Sequence, residues 1–169
     1  MTETDAPKVG IVMGSDSDLN VMNEAAAILK KFGIPYKMTV ASAHRSPERA
    51  ARFASSARDV GMKVIIAGAG HAAHLAGVLA AHTALPVIGV PIDSSCLQGW
   101  DSLLATVQMP PGIPVATMAI GKSGARNAGI FAAQMLALAD AGLSAKIDQF
   151  KQEMADKVEE KARKVEEQQ

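Results

Sequence analysis

Val9-Gly10-Ile11-Val12-Met13, followed at once by Gly14-Ser15-Asp16-Ser17-Asp18, is the stretch that decides the fold. An apolar run without alternation reads as a strand buried on both faces, the pattern of a parallel sheet held between helices. The polar residues behind it read as a strand-to-helix loop. From Asp18 onward, apolar residues recur at helical spacing (Met22, Ala25, Ala26, Leu29, Phe32) until Gly33 and Pro35 stop the helix.

The same unit recurs along the chain. With Lys8 to Met13 as the first strand, the second is Tyr36 to Val40, then the loop Ser42-Ala43-His44-Arg45-Ser46-Pro47 and a helix to about Val60, with Ser46 at its N-cap. Val64 to Ala67 is the third strand, followed by Gly68-Ala69-Gly70-His71 and an Ala-rich helix to about His82. Pro86 to Val90 is the fourth, with a short helix from Asp101, its expected N-cap, to Gln108. Val115 to Ile120 is the fifth, with a helix from about Ala125 to Ala141. Strands alternating with helices imply a parallel sheet with right-handed crossovers. The expected fold is α/β, a three-layer flavodoxin-like sandwich with strand order 2-1-3-4-5. Its switch point lies between strands one and three, and ligands bind at the carboxyl edge there.

Residues 1–143 read as the catalytic domain. Residues 144–169 differ: Ile147, Phe150, Met154, Val158 and Val165 form a thin apolar stripe on a densely charged helix. That helix either docks on its own domain or forms an arm that packs on a neighbouring subunit.

At 169 residues and 49% apolar, the chain can bury a full core. Seventeen basic residues balance seventeen acidic ones and aromatics are 4%, which argues against a nucleic-acid footprint or a polybasic membrane anchor. The single Cys96 gives no internal disulfide, the start Met1 to Pro7 is polar and acidic, and no apolar run reaches membrane length. A cytoplasmic protein is the expectation.

Three loops fall at the ligand-binding edge. Gly14 to Asp18 sets Ser15 and Ser17 at a helix start, where free N–H groups favour anions, and Asp18 can accept from two ribose hydroxyls. In the second loop Arg45 offers a fork for phosphate oxygens, and His44 is the natural proton carrier near neutral pH. The third, Gly68 to Leu75, combines glycines with His71 and His74. Those histidines have i, i+3 spacing on what reads as one helix face, but no Cys or carboxylate stands beside them in sequence, so no metal is expected. Gly121-Lys122-Ser123-Gly124 imitates a phosphate loop without its full spacing. Cys96 reads as inert, and Trp100 as packing or interface.

Taken together, MGSDSD (Met13 to Asp18), SAHRSP (Ser42 to Pro47), AGAGHAAHLAG (Ala67 to Gly77), GVP (Gly89 to Pro91) and DSLLATVQMPPGIPVAT (Asp101 to Thr117) resemble one family closely. It is the N5-carboxyaminoimidazole ribonucleotide mutases, the class I PurE enzymes of bacterial purine synthesis. The resemblance implies movement of a carboxylate from the exocyclic nitrogen to ring carbon C4, by decarboxylation and recarboxylation, without metal, nucleotide or other cofactor. It implies His44 as general acid/base, Ser15, Ser42 and Arg45 on the 5′-phosphate and Asp18 on the ribose. Ala69, Gly70, Ala72, His74 and Leu75 would wall the pocket beside the base. Gly14, Ser17, Ala43 and His71 complete the expected substrate-binding set. The family is octameric, with C-terminal helices that reach across subunits, which favours the arm reading of residues 144–169.

Two departures stand out. Ser46 replaces the commoner Thr and keeps the hydroxyl, whereas His71 and Ala76 stand where the family usually has Gly and Pro. A His with φ > 0 costs about 1 kcal/mol or more. The loop is therefore expected to take an ordinary conformation, with the His71 ring along the pocket rim. Rival readings are the class II relative, which carboxylates aminoimidazole ribonucleotide with free carbon dioxide and typically carries a GRSN-like loop here, and a non-catalytic nucleotide- or flavin-binding module on the same sheet.

Overall fold

A computed structural model describes residues 6–168. Five strands, β1 (Val9–Met13), β2 (Tyr36–Val40), β3 (Val64–Gly70), β4 (Val87–Ile92) and β5 (Ala116–Thr117), form one parallel sheet in the order 2-1-3-4-5, as expected. The helices are α1 (Leu19–Phe32), α2 (Pro47–Ser56), α3 (Leu75–Ala81), α4 (Trp100–Val107), α5 (Gly121–Ala137) and α6 (Ala141–Glu166). Two compact units are present, one ending at Ala132 and one beginning at Ala133.

In the first unit every residue of β1 and β4 is buried, which is why both read as unbroken apolar runs. Alternate residues serve opposite faces. Val12, Ile65, Ala67 and Val87 pack with Ala50 and Ala54 of α2 and Leu75 and Leu79 of α3. On the other face a side chain at Gly68 would strike Met22 of α1, and one at Gly129 would strike Ala25 and Ile28. The Ala- and Gly-rich composition is thus the means by which helices approach the sheet closely.

Element boundaries moved where side chains or neighbouring strands overrode local pattern. The Gly68-Ala69-Gly70 segment expected in a loop is strand, because β4 pairs with it through Ala69↔Pro91 and Gly70↔Ile92. Helix α2 stops at Ser56, not Val60: the Ser55 and Ser56 hydroxyls both donate to the Arg52 carbonyl, and Gly61 closes the turn at φ 94°. Strand β5 keeps two residues of the expected six, since α5 starts at Gly121 and Gly124 lies directly on the Ala119 carbonyl, turning the chain off the sheet. Gly99, not Asp101, is the N-cap of α4.

In the second unit α6 begins at Asp140, whose carboxylate accepts from the Leu143 N–H at 2.9 Å. The expected helix to Ala141 ends at Ala137 instead, in tight turns from Ala139 and Asp140 back to Leu136 and Ala137. Among the described residues no helix is long and apolar enough to cross a membrane.

Candidate active site

A cavity of about 490 Å³ opens at the carboxyl ends of β1, β2, β3 and β4. Its lining contains every residue expected to touch substrate: Gly14, Ser15, Ser17 and Asp18 from the first loop, Ser42, Ala43, His44 and Arg45 from the second, and Ala69, Gly70, His71, Ala72, His74 and Leu75 from the third. Ser94, just beyond β4, completes it. The sequence reading missed Ser94, although β4 ends at the same edge as its neighbours and that alone marks the next residues as candidates.

The first loop is fixed by its own atoms. Ser15 is extended (φ −149°) and accepts from the Ser17 N–H at 3.3 Å, while its own N–H donates to Asp18 Oδ2 at 3.1 Å, a reciprocal cap over a single 3₁₀ turn, Asp16–Asp18. Asp18 is only 5% exposed. Burial raises its carboxyl above the ordinary value of 3.8, against the lowering effect of the Ser15 N–H and of the charges on His71 and Arg45.

The second loop is equally self-contained. Ser46 Oγ accepts from the Ser42 N–H at 3.0 Å and donates to the Ser42 carbonyl at 3.2 Å, and Ser42 Oγ accepts from the Arg45 N–H at 3.1 Å. Ser46 occupies the N-cap position of α2 as expected, but its hydroxyl serves the loop and not the helix. The Arg45 guanidinium reaches across to the Gly14 carbonyl at 3.3 Å, bringing the first two loops together.

His44 Nε2 lies 2.8 Å from His74 Nδ1, with ring planes at 81°. A hydrogen bond between these nitrogens lets His74 orient the His44 ring. This pairing across 30 residues of sequence is the second feature that sequence reading missed.

The third loop departs from expectation. His71 takes φ 54°, in the left-handed region, where an ordinary conformation was expected. The ring explains it: Nδ1 lies 3.1 Å from Ser94 Oγ, and this contact holds the backbone where the family's usual glycine would sit without strain. His71 and His74 do not share a helix face either. Both precede α3, and they turn to different partners, Ser94 and His44. Among the described residues no group of three or more His, Cys, Asp or Glu side chains gathers as a metal site. Asp101, in the first turn of α4, is held below the ordinary carboxylate range by Ser95, with smaller contributions from the Ser102 and Asp101 N–H groups and from His71. Trp100 is 64% exposed, outside the core, and Cys96 is exposed and unpaired.

The sequence model described as AIR carboxylase matches residues 8–157. The chain belongs to the AIR carboxylase family. It is 54% identical over 165 residues to a protein of Pyrococcus horikoshii named N5-carboxyaminoimidazole ribonucleotide mutase, covering 98% of this chain and 92% of that one. A Vibrio parahaemolyticus protein of the same name is 56% identical over 151 residues, 89% of this chain and 94% of its own. Phosphoribosylaminoimidazole carboxylase of Saccharomyces cerevisiae is 53% identical over 160 residues, 95% of this chain but 28% of that protein. Among solved structures, Treponema denticola PurE superposes with TM-score 0.84 at 28% identity, covering 94% of this chain and 98% of that one.

Proposed function

We propose that this chain is an N5-carboxyaminoimidazole ribonucleotide mutase, a cofactor-independent isomerase of purine biosynthesis. The observation that carries the reading is the His44–His74 pair, set in one cavity with the hydroxyls of Ser15 and Ser42, the Arg45 guanidinium and the Asp18 carboxylate. Relatives of that name at 53–56% identity over most of both chains support it.

Ser15, Ser42 and Arg45 hold the 5′-phosphate, and Asp18 accepts from the ribose hydroxyls. Protonated His44 gives its proton to the exocyclic nitrogen as the N–C bond of the carbamate breaks, releasing carbon dioxide inside the cavity. The electron pair of C4 attacks that carbon dioxide. The C4 adduct then loses its proton to His44, restoring the aromatic ring and the starting protonation state. One proton is given and one taken, so the isomerisation balances without metal, nucleotide or redox partner. Capture of carbon dioxide before it escapes makes the second half intramolecular, an advantage on the order of 10⁵ M or more in effective concentration.

The same reading covers assembly. The outer face of α4 leaves Trp100, Leu104 and Val107 exposed at i, i+4, i+7 spacing, and α6 leaves Met154, Val158 and Val165 exposed on a charged helix. Both suit contacts between copies of this chain in a cytoplasmic homo-octamer, with residues 1–143 as the catalytic domain and 144–169 as an arm on the neighbouring subunit. Trp100→Glu with Leu104→Glu should reduce the particle measured by light scattering, and an unchanged mass would remove α4 from the interface.

Label transfer tests the reaction. Substrate carrying ¹³C in its carboxylate, turned over in unlabelled bicarbonate, should give product that keeps the label. Product drawn from bicarbonate, formed equally well from aminoimidazole ribonucleotide, would replace the mutase with the free carbon dioxide carboxylase.

A further inference from the structure

Among the described residues only two other than glycine take positive φ, His71 (54°) and Gln98 (52°). They lie on the two loops that meet at the cavity through the 3.1 Å contact of His71 Nδ1 with Ser94 Oγ. Ser94 can come this close only because residue 70 is glycine: a Cβ there would lie 1.8 Å from Ser94 Oγ. Backbone strain is therefore maintained to hold one imidazole at the cavity wall.

The other basic groups of the lining are already engaged. Arg45 donates to the Gly14 carbonyl, and His44 and His74 hold each other. His71, with Nδ1 on Ser94, keeps Nε2 free of any protein hydrogen-bond partner among the described residues. Its place along the sheet edge matters as well. The phosphate-holding loops follow β1 and β2, whereas His71 follows β3 and is tied to the end of β4. β3 neighbours β1 at about 4.8 Å and β4 lies one strand further, so His71 stands roughly 5–10 Å along the sheet edge from the loop after β1 and farther from the loop after β2, a span that fits within a ribonucleotide.

We propose that His71, held by Ser94, recognises the carboxylate of the substrate and so selects carboxylated over uncarboxylated ribonucleotide. This rests on the mutase reading above and adds to it a residue at which this chain departs from the usual glycine. Charge-assisted donation from Nε2 to the carboxylate supplies the discrimination, because aminoimidazole ribonucleotide offers no acceptor there.

Titration calorimetry separates the possibilities, using aminoimidazole ribonucleotide and its 4-carboxy derivative as the two probes. His71→Gly suits φ 54° and keeps the fold, while His71→Asn also tolerates the left-handed region and keeps a polar side chain beside Ser94 but has no ring Nε2 to offer a carboxylate. Wild type should prefer the carboxylated probe. His71→Gly should weaken its binding about tenfold and leave the uncarboxylated probe within twofold. His71→Asn should lose most of the same preference, and Ser94→Ala part of it. Equal weakening of both probes would make His71 merely structural and overturn the proposal, as would unchanged affinities. Wild type that binds neither probe and turns over no substrate would overturn the mutase reading itself, an outcome distinct from either.

Discussion

The loop from Ser42 to Ser46 and the loop from Gly70 to His74 line one cavity and meet at the His44–His74 pair, yet they are held in different ways. The first is tied by its own hydroxyls and amides, Ser42 to Ser46 and Ser42 to Arg45. The second is tied by residues far away in the chain, His71 to Ser94 and His74 to His44. A loop that closes on itself keeps its shape when a functional side chain is removed. A loop held from outside is disturbed when the segment that holds it is pushed away.

Arg45→Ala tests the first half of this contrast. Its guanidinium bonds the Gly14 carbonyl but no atom of its own loop, so KM should rise about 10- to 100-fold, the worth of one charge-assisted bond of about 1.5–3 kcal/mol. Its melting temperature should stay close to wild type, and a fall of many degrees would mean the loop is not self-supporting.

Gly70→Ala tests the other half. The added methyl would meet Ser94 Oγ at 1.8 Å and the Ile92 carbonyl at 3.1 Å, so Ser94 must leave and His71 loses its partner. Overpacking of this kind costs about 1–3 kcal/mol, so kcat/KM and melting temperature should fall together. A change in only one of them would break the comparison.

Asp18→Asn probes the buried carboxylate of the first loop. Burial raises the folded carboxyl above 3.8, so its stability contribution is complete below pH 3.8 and is lost as pH rises through the folded value. Asn keeps an acceptor for the Ser15 N–H without the charge. Thermal melts of variant and wild type should therefore agree near pH 3 and diverge in the variant's favour by pH 7, while ribonucleotide binding is lost. Melts that differ equally at both pH values would refute the assignment.

His71→Gly should have the smallest effect on stability, raising the melting temperature by about 1–3 °C, as relief of left-handed strain is partly offset by the entropy of glycine. A lower melting temperature would mean the Ser94 contact stabilises more than the strain costs.

The same contrast explains what the sequence made legible. Sheet order and the two self-tied loops could be read in advance from apolar runs, caps and hydroxyl spacing, which are local signals, and the family resemblance pointed to the residues that line the cavity. The His71 conformation, the role of Ser94 and the His44–His74 pair could not. The first two depend on β3 and β4 pairing in the register Gly70↔Ile92, and the third on β2 and β3 both pairing with β1. The short β5 was misread for a related reason: nothing in Val115 to Ile120 announces that Gly124 will sit on the Ala119 carbonyl.

The central claim is that His44, oriented by His74, carries the single proton of an intramolecular carboxyl transfer. The direct measurement is conversion of N5-carboxyaminoimidazole ribonucleotide to its C4-carboxylated isomer without added bicarbonate, in wild type and in His44→Asn. Rapid wild-type turnover that falls by about 10²–10⁴-fold in the variant, with ribonucleotide binding retained, is the predicted result. Turnover in His44→Asn equal to wild type would contradict it.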